Sequence, residues 1–266
     1  MDGGSTTSPT RAFGHRGRAL APSRARTRPR LSRRARQAPS LSSAIARVRA
    51  AMPYVAIGGR HHHEVALTFD DGPGPYTLAV LRALRRRHVP ATFFQVGFSE
   101  HWFTVAERAE QHDAQFVIGD HTETHPRLDR LSPAAQAAQI DQQAAVLRAA
   151  GVPRPLLFRP PYGTYDRATL ALLRRRGMLM VMWSVDSHDY LRPGVGAIIR
   201  RVLAGVRPGA IVLMHDAGGD RSQTVAALPR IIDALRRRHF RLVTVPRLLR
   251  DDPPPLRQPA LVPGVG

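Results

Sequence analysis

From Glu64 onward the chain alternates between two textures. Val65-Ala66-Leu67-Thr68-Phe69, Ala91 to Val96, Phe116 to Gly119, Pro155 to Phe158, Met178 to Val185, Ala210 to Met214 and Arg241 to Val245 are short, nearly unbroken apolar runs of strand length. Between them, apolar residues recur every three or four positions, as helices require. Val80, Leu81 and Leu84 form such a stripe within Thr77–Arg87, and Phe103–His112 reads the same way. Ser132 and Pro133 open a helix to about Ala150, one as N-cap and the other at the first helical position. Asp166 caps a helix through Arg176, and further helices are predicted over Val195–Gly205 and Gln223–Arg238, the latter kinked or started at Pro229. Pro246 to Arg250 forms a last turn before Pro253-Pro254-Pro255.

Strands separated by helices imply a parallel sheet with helices outside it, and both an open doubly wound sheet and a closed barrel satisfy the pattern. In a barrel the chemistry gathers at the C-terminal ends of the strands. Polar, metal-capable residues do follow the strands: Asp70-Asp71-Gly72-Pro73, Asp120-His121-Thr122-Glu123-Thr124-His125-Pro126, Arg159-Pro160-Pro161-Tyr162-Gly163, Asp186-Ser187-His188-Asp189-Tyr190, and His215-Asp216.

Adjacent residues at a strand end point in different directions, so one of Asp70 and Asp71 can bind a metal while the other stays free as a base. His121 and His125, four apart, share a side if they lie on one helical turn. Two imidazoles and one carboxylate are a common catalytic zinc set that leaves a position open for water. Alone, Asp-Gly-Pro is equally a turn and His-x-x-x-His a surface pair. Their placement on one rim favours the metal. A buried Arg159 needs a carboxylate, and Asp70 is the candidate. The tight turn at Tyr162-Gly163 offers backbone N–H groups to an oxyanion. His215 suits a general acid if Asp189 orients it and raises its pKa. His61-His62-His63 precedes the first strand, at the opposite end, and reads as linker.

Composition changes the picture mainly at the N-terminus. The net charge of +20 is uneven, since residues 1–60 hold thirteen arginines against one acidic residue. All forty basic residues are Arg. Residues 1–60 are expected to be a disordered basic tail and linker, 61–250 a catalytic domain, and 251–266 a Pro-rich disordered end. The tail suits a transit peptide, a polyanion-binding arm or a start placed too far upstream. It has no apolar h-region of a secretory signal. The Arg runs that end helices oppose the helix dipole, and little aromatic interleaving supports a nucleic-acid groove in the domain. With no cysteine, disulfides, thiolate metal sites and Cys nucleophiles are excluded. No apolar run is long enough to span a membrane.

The five clusters, in this order, resemble the motifs of the polysaccharide deacetylase family, the NodB-homology domain of carbohydrate esterase family 4, over about Glu64 to Arg250. The resemblance implies a distorted (β/α)7 barrel, a divalent metal that is usually zinc with cobalt as the alternative, and removal of N-acetyl groups from the amino sugars of a peptidoglycan- or chitin-like glycan. It implies Asp71, His121 and His125 as metal ligands and Asp70 as the base, positioned by Arg159. The Tyr162 N–H would face the oxyanion. Asp189 would tune His215 as the acid, and Leu213 would receive the acetyl methyl. Tyr190 stands where the family usually has Trp, which keeps an aromatic wall and adds a hydroxyl. The family commonly acts at the cell envelope. The alternatives are an amide or cyclic-imide hydrolase on the same scaffold, and a non-enzymatic polyanion- or envelope-binding protein acting through the tail.

Overall fold

The computed structural model describes residues 40–100 and 113–259. The helix expected over Phe103–His112 and residues 1–39 of the expected tail lie outside the described residues. The strands are β1 (Tyr54–Val55), β2 (Glu64–Asp70), β3 (Ala91–Gln95), β4 (Phe116–Asp120), β5 (Leu157–Phe158), β6 (Leu179–Val181), β7 (Val185–Asp186), β8 (Ala210–His215) and β9 (Arg241–Leu242). The helices are α1 (Leu41–Ala51), α2 (Thr77–Arg85), α3 (Gly97–Glu100), α4 (Pro133–Ala149), α5 (Arg167–Arg176), α6 (Val195–Gly205), α7 (Ser222–Arg237) and α8 (Val245–Asp251).

All strand pairs are parallel, in the order β1-β6-β5-β4-β3-β2-β8-β7, with β9 joining the start of β2. The sheet curls into the distorted barrel. The run expected as one strand over Met178–Val185 is in fact two. Its first part pairs with β5 and β1, its second with β8. Between them the Met182 N–H donates to Val55 O and the Ser184 N–H to Ile211 O, so this stretch carries the chain from one sheet edge to the other. An antiparallel bridge between Ile57 and Ala210 adds a second link across the gap.

Every residue of β2 and β3 is buried, which explains why both are mostly apolar. Outside the curl, Val80, Leu81 and Leu84 of α2, Ile198 and Val202 of α6, and Leu228, Ile231, Ile232 and Leu235 of α7 pack on Val65, Leu67, Phe69, Val212 and Met214. Helix α7 runs through Pro229 rather than starting there. The Pro forfeits a backbone hydrogen bond and crowds the preceding turn, a cost of about 3 kcal/mol. Apolar burial on both sides of it outweighs that cost. The Ser132 and Asp166 caps form as expected, and Gly177 closes α5 in the left-handed region at φ 71.

The boundary expected at residue 60 falls earlier. Ser40 caps α1, whose Ala44, Ile45 and Val48 are buried. Ile45 and Val48, with Met52, join Leu248 and Leu249 of α8 and the sheet residues Ala66, Leu179 and Ile211 in one core. The spacing Ile45, Val48, Met52 places these side chains on one helical face, and this pattern outweighs the polar composition around it. The C-terminal boundary moves as well. The Asp252 carboxylate accepts the backbone N–H groups of His61 (2.6 Å) and His62 (3.0 Å), and Gln258 Oε1 accepts those of Ala56 (2.8 Å) and Ile57 (3.0 Å). His61 Nδ1 lies 3.0 Å from Asp252 Oδ1, and His63 stacks on Phe240, so the triple histidine lies among these packing contacts.

Candidate active site

Parallel strands put all their C-terminal ends on one rim, and the register sets them side by side. Asp70 is paired with His215 on one side and Phe94 on the other, Gln95 with Asp120, and Asp120 with Phe158. The expected site residues from β2, β4, β5, β7 and β8 therefore converge. Asp70, Asp71, His121, His125, Tyr162, Tyr190, Leu213 and His215 all line one cavity of about 740 Å³.

Arg159 lies beneath it, fully buried. Its Nη1 donates to Asp70 Oδ1 (2.7 Å) and Thr68 Oγ1 (2.8 Å), Nε to Val181 O (3.1 Å), and Nη2 to Met182 O (3.2 Å). The guanidinium also sits 4.2 Å over the Phe94 ring. Burial pulls its pKa down, and the Asp70 charge beside it opposes this.

His121 and His125 come together by a route other than the expected helical turn. Residues 121–127 are loop, with Thr122 at φ 71 and His125 at φ 58. Asp120 Oδ1 accepts the Thr122 N–H (2.8 Å) and Thr122 Oγ1 accepts the His125 N–H (3.1 Å). These short-range bonds stabilise a left-handed backbone that a helix would not use. The rings meet edge to face at 5.0 Å, and the Tyr162 ring packs on His125 at 4.6 Å. Tyr162 itself holds its turn at φ 57. His121 Nδ1 is 2.6 Å from Arg159 O. A carbonyl can only accept, so Nδ1 carries a proton, and in the neutral ring it is Nε2 that holds the lone pair.

That lone pair lies 3.6 Å from Asp71 Oδ1, and His125 Nε2 lies 3.1 Å from the same oxygen. Asp71 Oδ1 is buried without a hydrogen-bond partner. Burial alone would raise the Asp71 carboxyl, but His121 and His125, with charge at His215, hold it well below the usual carboxylate range. Among the described residues these three form the one group suited to a metal, with donor atoms all within 4.8 Å of one another. Tetrahedral zinc with bonds of about 2.0–2.1 Å spaces its ligand atoms by about 3.3–3.4 Å. An unpartnered carboxylate oxygen and a fixed imidazole lone pair at that spacing fit a divalent cation.

Across the cavity, His215 Nδ1 is 2.7 Å from Asp189 Oδ1. Burial disfavours the imidazolium, yet Asp189, with Asp71 and Asp70 further off, raises its pKa to about 9. The Tyr190 ring lies edge-on at 5.4 Å, and its hydroxyl reaches Asp186 Oδ2 at 3.4 Å. Leu213 is 4% exposed and closes the cavity beside His215.

The curated chitooligosaccharide deacetylase of Bradyrhizobium sp. (strain ANU 289) is 41% identical over 202 residues, covering 69% of this chain and 90% of the relative. The chain belongs to the polysaccharide deacetylase family. The family model described as polysaccharide deacetylase matches residues 58–181. The solved Bc1960 peptidoglycan N-acetylglucosamine deacetylase superimposes with a TM-score of 0.71 at 32% identity, covering 74% of this chain and 92% of that one. A CE4 family pseudoenzyme from Bacillus anthracis also superimposes, with a TM-score of 0.68 at 29% identity over 73% of this chain and 68% of that one. The fold thus occurs in a pseudoenzyme as well, so activity depends on the site residues and not on the fold alone.

The cavity has further walls that the motifs did not point to: Phe98, Ser99, Trp183, Gly218 and Arg221. Trp183 was hidden inside a run read as continuous strand. Phe98 follows Val96 with no polar marker. Gly218 and Arg221 lie just beyond His215-Asp216, in a Gly-Gly loop whose position after a strand was the available signal.

Proposed function

We propose that this polysaccharide deacetylase hydrolyses the N-acetyl group of amino sugars in a chitin- or peptidoglycan-like glycan, with a divalent cation, zinc first and cobalt as the alternative, held by Asp71, His121 and His125. One observation carries the reading. The unpartnered Asp71 Oδ1 faces both imidazoles, with Asp70 next to it in sequence and the His215–Asp189 pair across the same cavity. That is a Lewis-acid site, a base and an acid around one space.

A cation bound there would polarise the amide carbonyl and acidify the attacking water. Asp70 takes the proton from that water. Its Oδ1 is tied to Arg159, so only Oδ2 is left for the exchange. The Tyr162 N–H donates to the carbonyl oxygen as negative charge develops. His215 gives its proton to the departing amine, which cannot leave as an anion, while Asp189 stabilises the imidazolium. Leu213 takes the acetyl methyl, and Tyr190 and Trp183 supply flat faces for the sugar.

Acetate release tests this. The full-length protein, stripped and reloaded with zinc or cobalt, should release acetate from N-acetylated chitooligosaccharides or peptidoglycan fragments, and chelator should stop it. Turnover of ureides or cyclic imides without acetate release from either glycan would overturn the reading.

A further inference from the structure

The Asp71 carboxylate has two different surroundings. Oδ1 faces the imidazoles, whereas Oδ2 lies against the backbone of Gly218, where even a methyl group would overlap it. Asp71 also stands at φ 74, in the left-handed region that non-glycine residues seldom occupy. Something must hold it there, and the loop from β8 to α7 is built to do so. Asp216 is fully buried; its Oδ2 accepts the Thr77 hydroxyl, and Thr77 Oγ1 in turn accepts the Gly74 N–H at 2.8 Å. The Asp216 N–H donates to Asp70 O at 3.3 Å. A Cβ on Gly72 would come within 2.5 Å of Asp216 Oδ2, so the two loops touch backbone to side chain. Arg221 then ties the rest of the loop, donating to the carbonyls of Ala217 (2.7 Å), Gly218 (2.8 Å) and Asp220 (3.2 Å).

We propose that this loop is a positioning clamp for Asp71. Gly218 sets which way the carboxylate faces, and Asp216, acting through Thr77, with Arg221 fixes where Gly218 lies. The inference rests on Asp71 as a metal ligand. Residues that orient a ligand from behind typically change metal affinity by about 10–100-fold when altered.

The test is calorimetric titration of the metal-free, full-length protein with Zn2+ alone, alongside its melting temperature. Gly218→Ala should weaken zinc binding by about 10–100-fold. Thr77→Val keeps the side-chain shape but removes the link to Asp216, and should weaken zinc in the same direction. Gly177→Ala is the control. Gly177 has φ 71 with open space where a Cβ would go, so it carries a similar backbone penalty without touching the site. It should lower the melting temperature and leave zinc affinity unchanged. Wild-type zinc affinity in Gly218→Ala overturns the clamp. So does an equal loss in Gly177→Ala, which would make the effect one of global stability. If Gly218→Ala does not fold, unchanged affinity in Thr77→Val overturns it. A wild-type protein that binds no zinc instead overturns the metal reading beneath it, and the clamp with it.

Discussion

Asp189 grips His215 at two points: one carboxylate oxygen lies 2.7 Å from the ring Nδ1, and the other accepts the His215 backbone N–H at 2.8 Å and the Thr224 hydroxyl at 2.7 Å. The ring is therefore fixed in orientation and tautomer by a buried anion, leaving Nε2 as the proton donor. A general acid works only while protonated, so activity is lost as pH rises through its pKa. The pKa of about 9 includes contributions from Asp71 and Asp70. A cation on Asp71 offsets the first of these, so the alkaline limb of kcat/KM should fall between the ordinary 6.5 and about 9. Asp189→Asn should move that limb to lower pH. Tyr190→Phe should leave it in place, because burial and the Asp186 charge push the phenol up to about 12. A limb that ignores Asp189→Asn would remove His215 from the acid role.

The proposed mechanism gives the neighbours Asp70 and Asp71 different tasks, and single substitutions should separate them. Asp70→Asn keeps the side-chain shape and removes the base. It should retain zinc and lose about 10²–10⁴-fold in kcat, the usual share of acid–base catalysis. Asp71→Ala should lose the metal itself, measured by zinc content after dialysis. Asp70→Asn with normal turnover would show that another group takes the proton.

Much of this site could be read from the sequence because it is short-range and polar. Asp70-Asp71, Arg159 and His215 follow apolar runs, so the strand pattern alone carries them to one rim. The loop geometry was not readable in the same way. The histidine pair suggests a helical turn, yet Asp120 and Thr122 side chains divert the backbone into left-handed positions, a local side-chain effect that i,i+4 spacing does not encode. Trp183 was missed because a strand that changes partners midway has the same apolar texture as one that does not. The N-terminal boundary was misplaced for a different reason. Arg dominates the stretch just upstream, residues 24–36, and three large apolar residues on one helical face of Leu41–Ala51 are a small signal after it.

That small signal has a measurable consequence. Ile45 is 4% exposed in the core shared by α1 and α8. Ile45→Ala should cost about 2–5 kcal/mol, the usual range for truncating a buried aliphatic side chain. Removing residues 1–52 should lower the melting temperature sharply relative to removing 1–39, since Ala44, Ile45, Val48 and Met52 leave together. Equal melting temperatures for the two truncations would mean that α1 adds nothing to the stability of the barrel.

Trp183 offers a last test, one that separates binding from chemistry. Its indole lines the cavity beside Tyr162 and Tyr190, and it packs near the turn at Gly163, where a Cβ would lie 3.0 Å from the ring. In the proposed mechanism it moves no proton. Its ring also lies 5.6 Å from the Arg159 guanidinium, a weaker contact than the Phe94 ring at 4.2 Å. Trp183→Ala should therefore raise KM for a glycan, by about fivefold if the stacked face is worth about 1 kcal/mol, with little change in kcat. Steady-state kinetics on one oligosaccharide suffices. A fall in kcat at unchanged KM would place Trp183 in support of Arg159 and Asp70 instead of in the sugar-binding wall.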